Sequence, residues 1–294
     1  MLDAKISLND GKKIPQLGLG VWRISNGKKC EAVLRTAFET GYRHIDTASL
    51  YGNEESVGAA IRTSGISREE IFVTTKLWNS DHSNPERGLE TSLKKLKLDY
   101  VDLYLIHYPV RERLRSWRAL EKLKQQGKAS SIGVSNFTIR HLTELLAQTD
   151  TVPAVNQVEF HPYLYQRELL EFCVAQGIVV EAYSPLTQGE RLNDRKLVAV
   201  AKKYPSAAPK PSAKRTIFPS LSPRTESGGT KSAAQILIRW AIQHNLVVIP
   251  KSANADRIRE NADVFDFEIT AEDMQTLDGF NENLRTCWDP TNAP

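Results

Sequence analysis

Asp46, Lys76 and His107 each close an apolar, strand-like run, and they recur at intervals of about 30 residues, the length of one strand–helix unit. In a closed barrel of such units the C-terminal strand ends converge on one mouth, where residues from several strands assemble a site. Tyr51 follows shortly after the first of the three. Together these side chains make a proton-donating set. A phenol with an ordinary pKa of about 10 is a poor acid at neutral pH, and an adjacent ammonium such as that of Lys76 lowers that value by favouring the phenolate. Asp46 holds the lysine charged and aimed, and His107 orients a carbonyl oxygen by hydrogen bonding. The chemistry expected is protonation of a carbonyl that gains negative charge as hydride arrives. Taken singly, Asp46 and Lys76 read as an ordinary ion pair and Tyr51 as a surface aromatic; the four at successive strand ends carry the reading.

The elements that must position them alternate along the chain. Asn9-Asp10-Gly11 lies between ISL and KKIPQL as a hairpin turn. Eight apolar runs follow, at 17–22, 44–48, 71–77, 101–107, 130–136, 154–160, 178–184 and 246–252, of the kind expected for parallel strands covered on both faces. Helical stretches separate them, among them NEESVGAAIRTSG and NPERGLETSLKKLKL, several opening on Asn or Thr and closing near Gly or Asn. The pattern predicts an α/β fold, a single (β/α)8 TIM barrel with an N-terminal β-hairpin, as one domain over residues 1–294. A doubly wound sheet is disfavoured: Gly18-Leu19-Gly20 is followed by Arg23 where a dinucleotide fingerprint needs a third glycine. None of the nine tyrosines is followed four positions on by lysine, the short-chain dehydrogenase arrangement. The six histidines show no HExxH spacing and Cys30, Cys173 and Cys287 are isolated, so no metal is expected.

Composition sets limits on location and partners. The 294 residues are 40 % hydrophobic and 25 % charged, ordinary for a globular protein. MLDAKISLNDGKK lacks an apolar signal core and no run of about 18 apolar residues exists, so a cytoplasmic protein without a membrane segment is expected. An odd number of scattered cysteines fits a reducing compartment. The net charge of +4 is concentrated in 205–230, where Lys210, Lys214, Arg215 and Arg224 face Glu226 alone. The remainder is close to neutral, which gives nucleic-acid or membrane-surface binding little support. The same segment is rich in Pro and Ser and reads as a flexible insertion.

These residues lie in longer stretches that resemble the aldo-keto reductases: GLGVW (18–22), GYRHIDTASLYGNEESVG (41–58), TTKLWN (74–79), DLYLIHYP (102–109), IGVSNF (132–137), VNQVEFHP (155–162), EAYSPL (181–186) and IPKSANADRIRENADVFDF (249–267). The likeness covers nearly the whole chain apart from 205–230 and the last few residues. It implies a monomeric NADPH-dependent reductase of aldehydes and ketones with Asp46, Tyr51, Lys76 and His107 as the catalytic tetrad. NADPH or NADP+ is implied to lie extended along Gly20, Val21, Trp22 and Asp46. Ser135, Asn136 and Gln157 match the groups that bond the nicotinamide carboxamide, and Tyr183 the ring stacked beneath it. Ser184, Pro185 and Leu186 continue under the pyrophosphate, and Lys251, Ser252, Arg257 and Asn261 match the end that holds the 2′-phosphate. Trp22, Tyr51, Trp78, His107 and Tyr108 ring the carbonyl substrate; Tyr108 stands where many members have tryptophan. The short stretch after Trp288 implies a short specificity loop and an open pocket. Each has a plainer reading, Asn136 as the cap of a helix opening at Thr138 and Trp117 and Trp240 as core. A different class of function is an NADPH-binding regulatory or scaffold protein with residual activity, docking through its basic Pro/Ser segment.

Overall fold

The computed structural model describes residues 2–206 and 229–294. An antiparallel hairpin, β1 (Lys5–Ser7) with β2 (Lys13–Pro15), is set by the Asn9-Asp10-Gly11 turn, where Gly11 takes the left-handed φ of 81° that the turn requires. Eight parallel strands follow: β3 (Leu19–Gly20), β4 (His44–Asp46), β5 (Phe72–Leu77), β6 (Val101–Ile106), β7 (Ala129–Ser135), β8 (Val155–Glu159), β9 (Val179–Tyr183) and β10 (Val247–Val248). Each pairs with the next in chain order. The ring closes between first and last: Leu17 bridges Val248 in parallel, Gly18 N–H donates to the Val248 carbonyl at 2.9 Å, and Val248 N–H donates to that of Gln16 at 2.9 Å. This is a (β/α)8 barrel, and every apolar run read as a strand supplies one of its staves. Several staves are shorter than their runs, β3 and β10 only two residues each, though single backbone bonds continue past their ends, from Val21 N–H to the Asp46 carbonyl at 3.1 Å and from Ile249 N–H to that of Ala182 at 3.1 Å.

Two apolar layers explain which end stays open. Ile14 and Leu8 of the hairpin pack with Phe72, Leu103, Leu105, Ala154, Val155 and Val247 inside the barrel. The hairpin thus stoppers the end where the strands begin. A larger layer between strands and helices contains Trp117 and Trp240, both fully buried. The opposite end is left for polar side chains. Helix starts follow local chemistry: Asn84 accepts from Arg87 N–H at 3.1 Å with Pro85 in the first turn, and Ser232 with Gln235 forms a capping box. The helix Ile139–Leu146 is capped by Thr138 paired with His141, so Asn136 is not its cap.

Most of the segment expected to be flexible, 207–228, lies outside the described residues. Its two ends form a neck: Pro205 pairs with Thr230, Ser206 N–H donates to the Gly229 carbonyl at 2.7 Å, and Lys231 N–H to that of Tyr204 at 2.8 Å. Both flanks are fastened to the barrel. The Tyr204 hydroxyl donates to Asp273 at 2.6 Å, and buried Lys231 reaches Asp263 at 2.9 Å and Asp266 at 2.7 Å. Replacing 207–228 by a two-residue Asn-Gly turn is therefore expected to leave Tm and turnover close to those of the full chain, since the neck already has hairpin geometry. An insoluble or inactive product in a thermal-shift and activity comparison would show that the segment packs on the barrel.

Candidate active site

Lys76 is the deepest part of the site. It lies on β5 beside β4, and its fully buried ammonium sits 2.7 Å from both carboxylate oxygens of Asp46 and 2.9 Å from the Thr47 carbonyl. Three partners match the three hydrogens of the ammonium, so this buried charge is fully bonded. Tyr51 arrives on the turn Ser49–Tyr51, which Gly52 ends with a left-handed φ of 66°. Ser49 Oγ ties that turn to β5 by donating to the Lys76 carbonyl at 3.1 Å. The Tyr51 hydroxyl then lies 3.4 Å from Lys76 Nζ. Asn53 completes the frame: fully buried, it accepts from Thr47 Oγ1 at 2.8 Å and donates to the Val21 and Ile24 carbonyls, both at 3.0 Å. Gly20 and Val21, buried at the end of β3, are thereby locked to the tyrosine turn.

The phenol does not behave as the pairing with Lys76 alone predicts. Burial, then Asp46, then Glu181 push its pKa well above the usual value. Asp46, bound to the ammonium on both oxygens, sets its negative charge against the pull of Lys76 at the phenol. Tyr51 is consequently a neutral O–H donor across the physiological range. His107, just past β6, is held by its N–H to the Leu77 carbonyl at 3.1 Å, and its ring meets that of Tyr51 edge-on at 5.7 Å. Burial and then Lys76 push its pKa well below the usual histidine value, so the imidazole is neutral. Among the described residues its buried Nδ1 has no acceptor to donate to, which favours the tautomer with the proton on Nε2.

Aromatic rings wall the mouth. Trp22, 42 % exposed, lies 4.8 Å from Tyr51, and Trp78 meets His107 at 5.1 Å. The open side implied by the short C-terminal stretch is instead flanked by Trp288, 5.8 Å from Trp78 and 5.7 Å from Tyr108. Tyr108 donates its hydroxyl to the Asp289 carbonyl at 3.0 Å, a bond tryptophan would place differently. Buried Glu159, at the end of β8, anchors this stretch by accepting the N–H groups of Thr286 at 2.8 Å and Cys287 at 3.2 Å.

Polar groups at the ends of β7, β8 and β9 form a second row. Ser135 Oγ donates to the Gln157 carbonyl at 2.8 Å. Asn136, at a left-handed φ of 64°, donates to the His107 carbonyl at 2.9 Å and accepts from the Tyr183 hydroxyl at 2.8 Å. The Gln157 amide nitrogen donates to Asp46 at 2.8 Å and to Glu181 at 3.0 Å. Ser184, Pro185 and Leu186 follow β9, and Ser184 also takes a left-handed φ, of 48°. At the far edge Lys251 and Arg257 are exposed, while Ser252 and Asn261 are buried. Asn254 caps the helix Ala255–Ala262, accepting from Arg257 N–H at 3.0 Å. Burial, then Lys29 and Arg23, lower the pKa of Lys251. None of Arg23, Lys29, Lys251 and Arg257 is in an ion pair among the described residues. Lys251 and Arg257 beside a helix N-terminus, with Lys29 and Arg23 near Lys251, suit a phosphate.

The sequence singled out neither Asn53, Glu159 nor Glu181. Glu181 stands two positions before Tyr183 on the same strand, which places both on one face, but its pairing with Gln157 depends on strand register.

The family model described as Aldo/keto reductase family matches residues 16–282. The chain belongs to this family. A glyoxal reductase of Bacillus subtilis is 44 % identical over 95 % of this chain and 94 % of its own length. A methylglyoxal reductase of Yersinia pestis is 43 % identical over 97 % and 95 %. The aldo-keto reductase of Bombyx mori, solved in complex with NADP, superimposes with a TM-score of 0.85 at 37 % identity, covering all of this chain and 98 % of the other. These aldo-keto reductase relatives lend no support to a regulatory or scaffolding role.

Proposed function

We propose that this aldo-keto reductase uses Tyr51 as general acid and takes small aldehydes and dicarbonyls of the glyoxal and methylglyoxal type. The family reaction is NADP(H)-dependent reduction of aldehydes and ketones to alcohols. The observation that carries the residue assignment is the convergence of a neutral Tyr51 hydroxyl, the Lys76–Asp46 pair and a neutral His107 at one mouth. Bound NADPH supplies the hydride. His107 Nε2–H orients the carbonyl oxygen toward Tyr51, and the Tyr51 hydroxyl delivers the proton as negative charge grows on that oxygen. Lys76 stabilises the phenolate left behind, and Asp46 keeps Lys76 in place. The aromatic rim of Trp22, Trp78, Tyr108 and Trp288 shields the reacting carbonyl from water. The dicarbonyl class draws on the two named bacterial relatives and on this compact rim. A higher kcat/KM for methylglyoxal than for a long-chain aldehyde supports it; the reverse order would remove it.

The row at β7 to β9 fits a nicotinamide, and the cations at the far edge fit a 2′-phosphate. Ser135, Asn136, Gln157 and Tyr183 would hold the former, Ser184 to Leu186 the pyrophosphate, and Lys251, Ser252, Arg257 and Asn261 the latter. One charge-assisted bond is worth about 1.5–3 kcal/mol, so Arg257→Ala is expected to weaken NADPH about tenfold or more and NADH far less. Tryptophan fluorescence quenching measures both; equal weakening would remove Arg257 from the phosphate site. Action as a cytoplasmic monomer is part of this proposal; the free thiols Cys30, Cys173 and Cys287 suit a reducing compartment.

A further inference from the structure

We propose that Glu181 is a positioning residue of this site: its carboxyl group and that of Asp46 grip the Gln157 amide between them, fixing which end of that amide faces the mouth and keeping Asp46 on Lys76. The proposal rests on the reductase reading. A glutamate with no exposure to solvent, inside a barrel and without a cation of its own, needs a reason to be there. Its neighbours supply one. Gln157 and Glu181 are direct cross-strand partners on β8 and β9, and both hydrogens of the Gln157 amide go to carboxyl oxygens, one on Asp46 and one on Glu181. The carbonyl end of Gln157 is thereby the end left for a ligand. With an apolar side chain at 181 the amide keeps one anchor instead of two and is free to present either end.

The grip is sensitive to charge. Asp46, Lys76, His44 and Tyr51 face Glu181, and the next strand, β10, offers it Val247. His44 lies 3.6 Å away but is neutral, its pKa pushed down to about 3 by burial and then by Lys76. Burial, then Asp46, push the Glu181 carboxyl up to about 8, against the opposing pull of Gln157 and Lys76. Below that pH Glu181 is a neutral acid and, among the described residues, Asp46 alone sets a carboxylate on Lys76. Above it a second carboxylate competes for Lys76 and further raises the proton affinity of Tyr51, making the phenol a weaker donor. Reduction accordingly falls as pH rises through about 8, well before the phenol itself ionises.

The test compares the wild type with Glu181→Gln, which copies the neutral acid, and Glu181→Leu, which removes both polar atoms. Profiles of kcat/KM for methylglyoxal with NADPH from about pH 6 to 10 should show a severalfold fall centred near pH 8 in the wild type and no such step in Glu181→Gln. At pH 7 Glu181→Leu should fall about tenfold below Glu181→Gln and bind NADPH more weakly, as read by tryptophan fluorescence. The same alkaline step in Glu181→Gln, or equal activity and NADPH affinity of the two variants at pH 7, would overturn the proposal. Should the wild type reduce no carbonyl, the reductase reading fails by itself. Glu181 is then judged on cofactor affinity, where weaker NADPH binding by Glu181→Leu than by Glu181→Gln supports the grip and equal affinity overturns it.

Discussion

Tyr51→Phe is expected to lower kcat for carbonyl reduction by about 10²–10⁴-fold, the range a positioned general acid supplies, while NADPH binding stays nearly unchanged. The substitution removes one oxygen and leaves the ring against Trp22 and His107, so the walls of the mouth persist. Raised above its usual pKa by burial and two carboxyl groups, Tyr51 carries its proton throughout the neutral range. The other titratable ring at hand, His107, is neutral and can orient an oxygen but has no spare proton to give near pH 7. Steady-state kinetics together with fluorescence titration of NADPH separate the two effects. Turnover close to wild type in Tyr51→Phe would strike Tyr51 from the mechanism.

Lys76→Met should be as damaging to turnover and, unlike the tyrosine variant, should also weaken the fold. It leaves the buried Asp46 carboxylate with the Gln157 amide and no cation, and breaking a buried pair from one side costs about 3–5 kcal/mol. Thermal unfolding should therefore move down by on the order of 10 °C. Adding Asp46→Asn to Lys76→Met removes the stranded charge and should recover much of that loss without restoring turnover. A double variant no more stable than the single one would mean that the pair is not the buried unit its 2.7 Å contacts describe. Recovery of activity in the double variant would mean that Lys76 serves only the fold.

The parts of this architecture legible in the sequence are those written in one dimension. Asp46, Lys76 and His107 stand out because a polar residue ends each apolar run, and a parallel strand in a barrel ends at the mouth. The hairpin was equally plain, since Asn9-Asp10-Gly11 dictates a local turn. Glu181 was hidden for the opposite reason: a carboxyl group inside an apolar run gains its meaning from Gln157 and Asp46, and those contacts depend on strand register. Trp288 reaches the mouth because Glu159 bonds the N–H groups of Thr286 and Cys287, a tether with no periodic signature in the tail. The direction of the Tyr51 shift was also out of reach. Lysine beside tyrosine argues for a lowered value, and the depth of burial with the charges of Asp46 and Glu181 reverses it.

Hydride transfer at this mouth is expected to run from NADPH to a carbonyl with the proton coming from Tyr51. Its most direct test is the nicotinamide absorbance of NADPH after addition of methylglyoxal to the purified wild-type chain, with Tyr51→Phe run in parallel at matched cofactor occupancy. Steady loss of absorbance in the wild type, one NADPH per molecule of alcohol formed, with the Tyr51→Phe trace nearly flat, is the predicted result. NADPH bound but unoxidised by the wild type across a panel of aldehydes, ketones and dicarbonyls would contradict it, as would equal rates in the two proteins.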